Sequence, residues 1–234
     1  MLFAFLEEPP FCFTDAAGAV RGCDVELASA VCDRLGLPFE PIETEFANLL
    51  PRLADGRWTM TTGLFVSEER KQLVDFSRPI WALTDGLLVA ADNPRGLAGY
   101  RSIAAYGSAL LGVITDQVQY RTALENDVPP DRIRMFATQS EAADAVAAGQ
   151  VHAYASVALA HRGYLTRMSE APLAAINVPS SERQPAFGAF ALRKTDAALR
   201  KAVDACLGDI LGGRWHRDLM KRYGFSDRDI KCVV

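Results

Sequence analysis

Leu53-Ala54-Asp55-Gly56-Arg57-Trp58-Thr59-Met60 and, in the second half of the chain, Val146-Ala147-Ala148-Gly149-Gln150-Val151-His152-Ala153 follow one pattern. Each reads as the end of a helix, a closing glycine and the start of a strand. Glycine just past the last helical position supplies the left-handed stop that other residues resist. Two copies of one helix–strand module imply two similar α/β lobes. Outward from the first copy, Leu2–Leu6 is an apolar strand ended by Pro9-Pro10, and Asp15–Gly18 is a turn. Asp24 is expected to cap a helix with Val25, Ala28, Val31, Cys32 and Leu35 on one stripe and Gly36 beyond its end. Strands are predicted over Phe39–Ile42 and Trp58–Thr62, with a helix over Ala47–Asp55 between them. Around the second copy the order repeats: strand Leu110–Ile114, helix Gln117–Glu125 and strand Arg132–Phe136. A helix then opens on the capping-box spacing of Thr138 and Glu141, and strand Val151–Ala155 follows.

Two further apolar strands, Leu87–Ala91 and Phe187–Leu192, fall where the chain must leave the first lobe and return to it. An amphipathic helix carrying Leu199, Val203, Cys206, Leu207 and Ile210 and a second one around Trp215–Tyr223 make the tail. The expected organisation is a discontinuous lobe 1 (1–87 and 192–234), a lobe 2 (92–186), and hinge strands 87–91 and 187–192. Two α/β lobes on two hinge strands form a clamshell suited to closing on a small ligand in the interlobe cleft.

Composition narrows the function. The 234 residues are 50% hydrophobic and 23% charged, enough apolar surface to fold and too much for a disordered chain. A formal charge of −4 with no block of like charges argues against nucleic acid as a partner. The longest apolar runs, Met1–Leu6 and Ala186–Leu192, are too short to span a bilayer. The N-terminal stretch Met1–Glu8 has no basic n-region or small-residue cleavage site, so it reads as a strand and not a signal peptide. Cys12, Cys23, Cys32, Cys206 and Cys232 have no zinc-type spacing, and a Cys206–Cys232 disulfide is one open pairing. His152, His161 and His216 lack any metal or triad context, so no metal and no cofactor is expected.

The motif Pro10-Phe11-x-Phe13-x-Asp15-x-x-Gly18-x-x-x-Gly22-x-Asp24-Val-Glu-Leu-Ala28 resembles the opening of bacterial extracellular solute-binding proteins of family 3. The resemblance is strongest at Gly63-Leu-Phe65-Val-Ser67-Glu-Glu-Arg70 and Val74-Asp-Phe76-Ser77-x-Pro79. It continues through Leu111–Ile114 and Ala147–Tyr154. It implies the type II periplasmic-binding-protein fold and a receptor for an ABC importer: periplasmic or extracellular, monomeric and non-catalytic, with a membrane permease as partner.

The same resemblance implies roles for particular residues. Arg70 would take a ligand carboxylate with its planar fork, which lysine cannot reproduce. Phe11, Phe46 and Phe65 fall where relatives place rings around the ligand, and rings attract cations. Thr115, Gln117 and Gln119 lie at a strand-to-helix turn used for ligand contact, where N–H groups favour anions. Two departures set the ligand class. Where amino-acid receptors carry an Asp for the α-ammonium, this chain has Val157 with Ser156 beside it, and an ammonium left unpaired there is costly. Glu8 stands three residues before Phe11, where many amino-acid receptors have an aromatic. The Glu8/Phe11/Phe46/Phe65/Arg70 set resembles the ectoine-binding branch, whose ligand is a small zwitterion with a carboxylate and a cyclic amidinium. Trp58 reads as packing.

Other classes are weaker. Hydrolase, NTPase and dinucleotide fingerprints are missing from the sequence. The enzyme alternative is a cyclohexadienyl or arogenate dehydratase on the same fold, with Glu8 as a desolvated proton donor. A sensor module of a kinase or transglycosylase is the third class.

Overall fold

The computed structural model describes residues 1–168, 170–231 and 233; Cys232, and with it the Cys206–Cys232 pairing, lies outside them. The chain divides into two compact units: Met1–Ala82 with Ala186–Val234, and Leu83–Pro185. The crossings therefore fall at Ala82/Leu83 and Pro185/Ala186, and the strands expected as hinges lie inside the two sheets. The first of them belongs to strand Asp85–Ala90, paired on both sides within the second unit. The other belongs to strand Ala186–Leu192 in the sheet of the first unit.

The first unit's sheet runs Glu40–Glu43, Leu2–Phe5, Met60–Phe65, Ala186–Leu192, Asp75–Phe76, with Trp81–Leu83 paired to Ala186–Leu192 off this path. Leu2–Phe5 is parallel to both its neighbours, whereas Ala186–Leu192 runs antiparallel to Met60–Phe65. Parallel neighbours demand crossover helices, and Cys23–Leu35 and Phe46–Ala54 supply them. Ala4, Leu49, Leu53, Trp58, Leu64, Val74 and Ala191 pack as one core beneath this sheet. Trp58 is packing as expected, its Nε1–H donating to Leu49 O at 2.9 Å.

The second unit's sheet runs Ile133–Phe136, Leu111–Ile114, Ala153–Val157, Asp85–Ala90, Leu173–Asn177. Its core gathers Leu87, Val89, Tyr100, Ile103, Leu111, Val113 and Ala155. Among the described residues no helix is long and apolar enough to cross a membrane.

Some local expectations change. Asp24 does not cap its helix: the N-cap is Gly22, and Asp24 is buried in the first turn of Cys23–Leu35. Gly36 ends that helix in the left-handed region at φ 63°. The helix expected from Gln117 begins at Gln119, because Asp116 takes φ 65° and delays it. Thr138 caps as expected, accepting from Glu141 N–H at 3.2 Å, but the Glu141 carboxylate accepts from Ala137 N–H instead of closing the box.

Candidate ligand-binding site

The loop carrying Glu8 and Phe11 is pinned by the helix behind it. Cys23 N–H donates to Pro10 O and Asp24 N–H to Phe11 O, both at 3.1 Å. These are N–H groups that a helix start leaves without an intrahelical acceptor. Gly22 permits the approach: its φ is 127°, and any Cβ there would overlap the Phe11 carbonyl. Across the loop, Glu8 N–H donates to Cys12 O at 2.9 Å and Cys12 N–H to Glu8 O at 3.3 Å.

Phe11 and Phe65 are both buried, and a third ring joins them. Trp81 lies 5.5 Å from each centroid, tilted 40° to Phe11 and 81° to Phe65. Phe225 meets the Phe11 ring edge-on at 6.0 Å. Trp81 was not singled out in the sequence. Its signal is indirect, in Gly63 and Gly188 on adjacent antiparallel strands. A Cβ at Gly188 would overlap the indole, and one at Gly63 would stand 2.9 Å from its Cζ2.

Arg70 sits on the short helix Glu68–Leu73, capped by Ser67, whose Oγ accepts from Arg70 N–H at 3.2 Å. Its guanidinium donates to Phe65 O at 2.9 Å and lies 5.3 Å over the Phe46 ring, with the residue 7% exposed. The Phe65 carbonyl and the Phe46 ring face thus help to orient the plane of the fork. The structure brings Phe11, Phe65, Arg70 and Phe46 into one run of contacts through Trp81, with Glu8 attached through the backbone.

In the second unit the three predicted residues separate. Thr115 and Gln117 flank Asp116 at the turn after strand Leu111–Ile114. Their backbone N–H groups donate inside the unit, to Phe136 O at 3.0 Å and to Ile114 O at 3.2 Å. Gln117 Oε1 is buried with no hydrogen-bond partner. Gln119 is 2% exposed, and its amide donates to Asp85 Oδ1 at 3.1 Å while Tyr100 OH donates to Asp85 Oδ2 at 2.6 Å. Gln119 thus donates to a buried carboxylate whose pKa burial raises. The helix period places a residue on a face without saying whether that face is turned inward. Val157 and Ser156 are both buried, at the end of strand Ala153–Val157.

Arg70, Phe46 and the three clustered rings form an arrangement suited to a planar carboxylate beside an apolar or cationic ring. Residues 3–226 match the bacterial extracellular solute-binding proteins, family 3. The probable amino-acid ABC transporter periplasmic-binding protein y4tE of Sinorhizobium fredii is 30% identical, over 98% of this chain and 78% of its own. The histidine-binding periplasmic protein of Salmonella typhimurium is 23% identical, over 92% of this chain and 83% of its own. Among solved structures, EhuB in complex with hydroxyectoine superposes with a TM-score of 0.87 at 27% identity, covering 96% of this chain and 88% of that one. The two units have the type II periplasmic-binding-protein fold, and the chain belongs to the bacterial extracellular solute-binding proteins of family 3.

Proposed function

We propose that this protein is the solute receptor of an ABC importer and takes a small zwitterion bearing a carboxylate and a delocalised ring cation, of the ectoine type. The observation that carries the reading is the Arg70 fork, held by Phe65 O and stacked on Phe46, in continuous contact with the Phe11–Trp81–Phe65 rings. Arg70 takes the carboxylate and the rings receive the cation, with Glu8 as its counter-charge. Thr115, Gln117 and Gln119 are the ligand-binding residues proposed for the second unit, and the buried, unpartnered Gln117 Oε1 suits an N–H donor of a ligand. Buried Val157 offers an α-ammonium no charge, which supports a ligand other than an ordinary α-amino acid. The likeness to a hydroxyectoine-bound receptor supports the same class. The partner is a membrane permease, the location periplasmic or extracellular, and the role binding without turnover.

A thermal-shift screen of ectoines, betaines and amino acids tests this. A ligand at 100 times its dissociation constant stabilises by about 2.7 kcal/mol, an easily read shift. Ectoine is expected to stabilise and glutamine, arginine and histidine to do so weakly. Turnover of prephenate by the same sample would replace the receptor with the dehydratase.

A further inference from the structure

Asp24 is 1% exposed and lies beneath the ring cluster. Its Oδ2 accepts from Thr62 Oγ1–H and Gly63 N–H, both at 2.8 Å; its Oδ1 accepts from Trp81 Nε1–H at 3.2 Å and the Cys23 thiol at 3.5 Å. Burial raises the pKa of this carboxyl and the four donors, Thr62 first, oppose that rise; because Gly63 N–H and Trp81 Nε1–H can only donate, both oxygens serve as acceptors and the arrangement suits the ionised form. None of these partners is a cation. The charge is thus hydrogen-bonded but not neutralised, directly under Trp81, whose ring touches both Phe11 and Phe65. Burial lifts the thiol of Cys12, next to Phe11, well above the usual range; the Asp24 charge adds to this and a bond to Thr62 opposes it.

We propose that Asp24 is a specificity-determining residue of the ligand face: its buried charge, met only by neutral donors, favours a cationic group at the Phe11–Trp81–Phe65 rings. The inference rests on the receptor reading above and adds to it a source of cation preference that lies behind the rings. In a medium of low dielectric a fixed charge acts over several ångströms, whereas at an exposed site water would screen it. Trp81 is the positioning residue through which the carboxylate also holds the rings in register.

Calorimetry on the whole chain with two pairs of probes decides the matter: ectoine against 3-cyclohexene-1-carboxylate, and arginine against citrulline. Each pair shares a shape and differs in its cation. Asp24→Asn keeps the size and removes the charge; it is expected to lower the affinity ratio within a pair by about tenfold, while Asp24→Glu retains the ratio. Equal losses for both members of a pair, or an unchanged ratio, would overturn the proposal by leaving Asp24 a purely structural role. If ectoine is silent and arginine binds, the ectoine reading falls, and the arginine-to-citrulline ratio tests Asp24 in the same way. Binding of neither cationic probe overturns both. Should Asp24→Asn fail to fold by circular dichroism, Trp81→Phe decides: the charge remains, so the ratio should hold within about twofold as absolute affinity drops. Loss of the ratio in Trp81→Phe would assign the preference to the indole instead.

Discussion

Lysine at position 70 would keep the charge and lose the fork. Arg70→Lys should leave the fold intact and cost about 2–5 kcal/mol of ligand affinity, the range for one partner of a desolvated charge pair. Calorimetry checks it, and an unchanged affinity would remove the carboxylate from Arg70. Phe11, Phe46, Phe65 and Arg70, which the structure brings into one run of contacts, are marked in the sequence by a family resemblance, as is Glu8. Trp81 and Asp24 were not legible in the same way. Asp24 stands where a helix cap would, and only the buried donors of Thr62, Gly63 and Trp81 show that its carboxylate turns inward. The bond of Gln119 to Asp85 was not legible either, since the two residues lie far apart in sequence.

At the scale of elements, the fit between strand Ala186–Leu192 and the Trp81 ring depends on one missing side chain. Gly188→Ala forces a methyl into the indole and should destabilise the fold by about 1–3 kcal/mol, measured by urea unfolding. Wild-type stability would mean the ring has room to move. A second element-level test uses His161, on helix Ala158–Arg167, whose ring is fully buried against Tyr154 and Gly86 O. Burial lowers its pKa to about 3 from 6.5, so the native state resists a proton that the unfolded chain accepts. That contribution is complete above pH 6.5 and is lost as pH falls toward 3. His161→Gln should therefore lower the slope of stability against pH between these limits by up to about 1.4 kcal/mol per pH unit. An identical slope would show that His161 does not titrate there. The long amphipathic elements were readable from periodicity; Tyr100–Ala105 and Ala158–Arg167 were not. The former is very short, and in the latter His161 and Arg162 interrupt an apolar stripe.

For the whole molecule, the repeated helix–glycine–strand module correctly indicated two α/β units, each with its own sheet and core. The crossings were harder to place, because a strand that serves as a connection and a strand inside a sheet have the same apolar sequence. A receptor that closes on its ligand is expected to show a smaller radius of gyration in solution scattering on saturation. A radius unchanged by a confirmed tight ligand would argue against closure. The ligand class is decided by isothermal calorimetry of the unmodified protein against ectoine, glutamine, arginine and histidine. Measurable heat and saturation are expected with ectoine, and affinities for the amino acids weaker by at least about 1–3 kcal/mol, the cost of an unpaired ammonium. Micromolar or tighter binding of a common amino acid, with ectoine silent, would contradict it.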